Sequence, residues 1–93
     1  MATSNEVVVS HNVGLHARPA AVFAKLAATF SSTIQVENLT KGTEPVNAKS
    51  VLRILAAGIQ MNDRLRISAD GTDEDAAITA LSNLITTNFG ETE

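Results

Sequence analysis

The sequence predicts an α+β fold in which an antiparallel sheet carries helices on one face. Three observations lead there. Two segments, Thr33 to Glu37 and Asp63 to Asp70, alternate apolar and polar residues, the pattern of half-buried strands. Two others carry apolar residues at helical spacing, and a third is bracketed by serine and glycine. These segments interleave in the order strand, helix, strand, strand, helix, strand, helix, without a repeat, linker or low-complexity stretch.

Glu6 to Ser10 holds three successive valines and reads as a short strand. A Gly-containing loop leads to His16. Pro19 favours the first turn of a helix, where its missing N–H has no partner to lose, so the helix is expected to begin within a residue or two of His16. Phe23, Leu26, Ala27 and Phe30 form its apolar stripe, and Ser31 and Ser32 end it. In the next strand Ile34 and Val36 share a face. Asn38 to Gly42 supplies turn residues, and Thr43 to Val46 is expected to return as a hairpin partner. Pro45 cannot donate to a ladder, which puts this strand at a sheet edge.

Ser50 as N-cap and Gly58 after the last turn bracket a helix of about two turns from Val51 to Ala57. Leu65, Ile67 and Ala69 then occupy one side of a strand, with Arg64, Arg66 and Ser68 on the other. After the Asp70-Gly71 turn, Thr72 and Asp75 resemble a capping arrangement, and Asp73 and Glu74 add helix-start charge. Ala77, Ile78, Leu81, Leu84 and Ile85 make the last apolar stripe. Gly90 marks its end.

A chain of 93 residues, 44% hydrophobic and 18% charged, is expected to form a single globular domain spanning residues 1–93. No apolar run approaches the ~20 residues of a membrane span, and Met1 to Glu6 lacks an export signal, so a cytoplasmic location is expected. Cysteine is absent, which excludes disulfides and thiolate metal sites. Net charge is −3 and the only aromatics are three Phe, a poor composition for binding nucleic acid. His11 could pair with His16 on a metal, but no third ligand is evident, so no metal or other cofactor is expected.

The chemistry is expected at His16. A neutral imidazole is a nucleophile near pH 7. At a helix start it meets unpaired N–H groups and the positive end of the dipole, an environment that favours an anion. Arg18 adds a planar, permanently charged fork for phosphate oxygens, and Gly14 allows the sharp turn. This combination points to a histidine that carries a phosphoryl group.

The stretch Gly14-Leu15-His16-Ala17-Arg18-Pro19-Ala20 resembles the active-centre signature of the histidine-containing phosphocarrier (HPr) family of the bacterial sugar phosphotransferase system. Val46-Asn47-Ala48-Lys49-Ser50 resembles the family's second signature. Gly58-Ile59 and Ile67-Ser68-Ala69-Asp70-Gly71 follow where the family has them, so the likeness runs from about Glu6 to Asn88. It implies an open-faced β-sandwich (βαββαβα) of four antiparallel strands with three helices on one face. It implies a carrier with no small-substrate turnover of its own. His16 would take phosphate on Nδ1 from phosphorylated enzyme I and pass it to an EIIA domain, with Arg18 as the active-site arginine. The family is usually monomeric.

Ser50 has two compatible roles: N-cap, from the residues, and regulatory phosphosite, from the resemblance. The second would add an HPr kinase/phosphorylase and a transcriptional regulator as partners. Arg53 departs from the branch that uses such regulation, where this position is often small. Around His16, Val51, Leu52 and Leu55 are candidates for the apolar centre of a partner-binding face, with Lys25, Lys49 and Arg53 beside Arg18 as basic neighbours. At least one of the three apolar residues is expected in the core. Two alternatives stand beside the sugar carrier: a specialised carrier for nitrogen control or a dihydroxyacetone kinase relay, and a regulatory adaptor acting through Ser50 and the second helix.

Overall fold

The computed structural model describes residues 2–9 and 17–87. The element order is β1 (Ala2–Val8), α1 (Ala17–Ala28), β2 (Thr33–Asn38), β3 (Val46–Asn47), α2 (Val51–Ala56), β4 (Arg64–Asp70) and α3 (Glu74–Thr86). The four strands form one antiparallel sheet in the order β1-β4-β2-β3. Three helices lie on one face, as the resemblance implies. His11, Gly14, His16 and Gly90 lie outside the described residues.

The sheet has two chemically distinct faces because strand side chains alternate. Val7, Ile34, Val36, Leu65, Ile67 and Ala69 point to the helices and are buried. They meet Phe23, Ala24 and Ala27 of α1, Ile54 of α2, and Ala77, Ile78, Leu81 and Ile85 of α3 in one core. The opposite face is polar. There Arg66 of β4 stands opposite Glu6 and Glu37 and pairs with both, at 3.3 and 3.4 Å.

The first strand begins earlier than its valines suggested. The expected Glu6 to Ser10 is replaced by Ala2–Val8, because every residue of that stretch pairs in register with β4, from Ala2 opposite Asp70 to Val8 opposite Arg64. A ladder formed by a distant strand recruits Thr3, Ser4 and Asn5 without any apolar signal of their own. The edge strand is also displaced. It is Val46–Asn47, not Thr43 to Val46, and it starts directly after Pro45, the residue with no N–H to donate. It does lie at the sheet edge.

Helix α1 ends at Ala28, before the expected serines. Thr29 and Phe30 donate to Leu26 and Ala27, the tightened last turn of many helices. The Ser31 and Ser32 amides donate instead to the Asp73 carboxylate, at 2.8 and 3.0 Å. The Ser32 hydroxyl donates to the same carboxylate. This explains why Thr72 is not the cap of α3. The N-cap is Asp73, and its side chain makes no capping bond because it is turned toward the end of α1. The Glu74 carboxylate accepts from the Gly71 amide and the Thr3 hydroxyl, tying the start of β1 to α3.

Candidate functional site

Pro19 occupies the first turn of α1 and is buried beside Ala20, while Arg18 faces solvent. Pro is tolerated here because the first four N–H groups of a helix have no intrahelical acceptor. No acidic residue stands in this turn, so nothing on α1 itself offsets the positive end of its dipole. Among the described residues the Arg18 guanidinium has no hydrogen bond or ion pair, so its charge is available to an incoming anion.

Helix α2 packs against α1. Ser50 caps it in extended conformation, and its Oγ accepts the Arg53 amide at 3.3 Å. Ile54 is fully buried and anchors the helix, and Val51 is partly buried against the core. Leu52 is 78% exposed and Leu55 37%, and Arg53 also faces solvent. Gly58 ends the helix at φ +62°, a conformation that suits glycine. The structure thus leaves Leu52 and Leu55 outward and draws Val51 inward. A shallow groove runs from Pro45 to Asn47 along Ser50 and Arg53.

The basic residues divide. Lys25, in the last turn of α1, is exposed. Lys49 is half-buried, and its ammonium donates to the Phe30 carbonyl at 2.8 Å, so its charge is engaged within the fold.

A polar junction joins Asn38, which the sequence marks as a turn residue, to Asp63, which it marks as a strand start. Both are buried. Asp63 Oδ2 accepts from Lys41 Nζ at 2.7 Å, the Gln60 amide at 2.9 Å and Asn38 Nδ2 at 3.0 Å. Burial opposes ionisation of this carboxyl, but the bonds from Lys41, Gln60 and Asn38 outweigh it and hold the group below the usual carboxylate range. Asn38 Nδ2 also donates to the Ala57 carbonyl at the end of α2, and its Oδ1 accepts the Lys41 amide. One signal was available: two-residue periodicity puts Asn38 on the same buried face as Ile34 and Val36.

Comparison with known proteins agrees with this architecture. The family model for the phosphotransferase-system HPr component phosphorylation site matches residues 3–87. The phosphocarrier protein HPr of Mycoplasma pneumoniae is 39% identical over 80 residues, covering 86% of this chain and 89% of that protein. The multiphosphoryl transfer protein of Vibrio cholerae is 40% identical over 83 residues, covering 89% of this chain. The chain spans about a fifth of the length of the multiphosphoryl transfer proteins it matches, 21% and 23% for those of Vibrio cholerae and Escherichia coli. Among solved structures, HPr-C-His from Thermoanaerobacter tengcongensis superposes with a TM-score of 0.90 at 41% identity, covering 98% of this chain and 99% of that one. A match that runs through all seven elements and includes both signature stretches is a match of the whole fold and not of an isolated motif: the chain belongs to the HPr family of phosphotransferase-system phosphocarriers.

Proposed function

We propose that His16 is the residue that carries the phosphoryl group, taken from phosphorylated enzyme I and delivered to an EIIA domain. The observation that carries this reading is the exposed guanidinium of Arg18, without a partner among the described residues, in an acid-free first helical turn two residues after His16. In the forward step the neutral His16 Nδ1 attacks phosphorus, the bond from phosphorus to the donor group breaks, and the donor atom keeps the electron pair. Such transfers depend mainly on alignment and on stabilising charge at the three equatorial oxygens. Arg18 and the free N–H groups of α1 supply that charge. The exposed Leu52 and Leu55 are the apolar centre of the docking face, with Lys25 and Arg53 steering acidic partners.

Incubation with enzyme I and labelled phosphoenolpyruvate tests this. Acid-labile, base-stable label is expected, absent from His16→Ala. Label retained in that variant refutes the assignment. Arg18→Ala should slow transfer by about ten- to a hundredfold without unfolding the protein.

Ser50 supports a second, regulatory reading. Its hydroxyl stands at the start of α2 beside the exposed Arg53. A phosphate there would place negative charge on the docking face and repel acidic partners. HPr kinase/phosphorylase with ATP should then give acid-stable label that Ser50→Ala abolishes; an unlabelled wild type removes this reading.

A further inference from the structure

We propose that Asp63 is a positioning residue for phosphoryl transfer, locking the end of α2 to the strand segment that runs on toward His16. The inference rests on the carrier reading above. Asp63 lies in none of the signature stretches, and its carboxylate is remote in sequence from His16, Arg18 and Ser50.

The argument starts from cost. A buried carboxylate is expensive unless donors converge on it. Here they come from three separate segments: Lys41 from the turn after β2, Gln60 from the loop after α2, and Asn38 from β2 itself. Asn38 carries the connection to α2 by donating to the Ala57 carbonyl at 3.2 Å. The backbone around Asp63 completes it. The Val9 amide donates to the Asp63 carbonyl at 2.9 Å, and the Asn62 amide donates to the Val9 carbonyl at 2.8 Å. Asn62 is held at φ +74° to close this loop.

Val9 is the last described residue before the stretch that contains His16, and Ala57 ends the helix that presents Leu52 and Leu55. The loop around Asp63 therefore meets the roots of both segments: its backbone holds Val9, and its carboxylate fixes the Asn38 side-chain amide that holds Ala57. Docking on a partner is weakened when such segments must first be ordered, because the ordering cost is subtracted from the binding free energy. A loosened junction raises the cost of docking while the intrinsic transfer step remains.

The experiment measures labelled transfer from phosphorylated enzyme I to the full chain over a range of chain concentrations. In Asp63→Asn the KM is expected to rise about fivefold with kcat within about twofold of wild type. Lys41→Met, which removes one donor from a surface position, should show the same split even where Asp63→Asn folds poorly. Lys41→Arg, which keeps a cationic donor, should restore wild-type KM. Ile85→Val, a modest core truncation in α3, controls for stability alone and should leave KM unmoved. Unchanged KM in both Asp63→Asn and Lys41→Met overturns the positioning role, as does an equal rise in Ile85→Val. A wild-type chain that takes no label overturns the carrier reading, and this inference with it.

Discussion

The Lys49 ammonium lies 2.8 Å from the Phe30 carbonyl, just past the end of α1. A residue of the second signature thus joins the approach to α2 to the helix that begins beside His16. Its neighbour Asn47 supports the same segment, accepting the Lys49 amide at 3.0 Å. Lys49→Met keeps the aliphatic stem and loses the bond. It should cost about 1 kcal/mol, below the range for fully buried charged hydrogen bonds because the side chain is only half-buried. Urea denaturation reads this directly.

Acid should loosen the contact between α1 and α3. The Ser32 hydroxyl and the Ser31 amide bind the Asp73 carboxylate and lower its pKa from 3.8 to about 2. A depressed folded-state pKa means that stability is fully present above the unfolded value and is lost as pH falls through the folded one. The loss should therefore run from about pH 4 down to about pH 2. Glu74, lowered by the Thr3 hydroxyl and the Gly71 amide, acts in the same direction. Urea midpoints across this window should fall in wild type and fall less steeply in Asp73→Asn.

Gly71 is required by crowding. A Cβ there would stand 2.6 Å from Ser32 Oγ and 2.7 Å from Ser32 Cα, and the second neighbour is backbone that cannot rotate aside. Gly71→Ala should destabilise by about 2 kcal/mol, with near-wild-type transfer in the fraction that remains folded.

Two neighbouring residues of α2 should separate docking from folding. Leu52, exposed, can become Asp with a stability change of about 0.5 kcal/mol or less, while KM for enzyme I rises about tenfold if it is a docking anchor. Ile54, fully buried, should behave in the opposite way: Ile54→Ala costs about 2–5 kcal/mol. Equal KM for Leu52→Asp and wild type would remove Leu52 from the docking face.

Periodicity and punctuation were sufficient for the architecture. Alternation placed Ile34, Val36, Leu65, Ile67 and Ala69 on the buried face, helical spacing placed Phe23, Ala27, Leu81 and Ile85 in the core, and Ser50 and Gly58 bracketed α2. Pro45 located an edge. These are local signals, because the burial demands of a strand or helix recur every two or about four residues along the chain. In the candidate site Arg18 and Leu52 are exposed, and Val51 is the apolar residue drawn inward.

What stayed hidden depends on partners far away in sequence. Ala2–Val8 is a strand because β4 pairs with it. The Asp73 side chain turns away from the start of α3 to Ser31 and Ser32. Lys49 turns from an expected surface charge to the Phe30 carbonyl just past α1, and Asn38 and Asp63 become a buried junction. A polar side chain reads the same in sequence whether water or another segment satisfies it. Folding alone determines which, because the partner arrives only when distant segments are packed together.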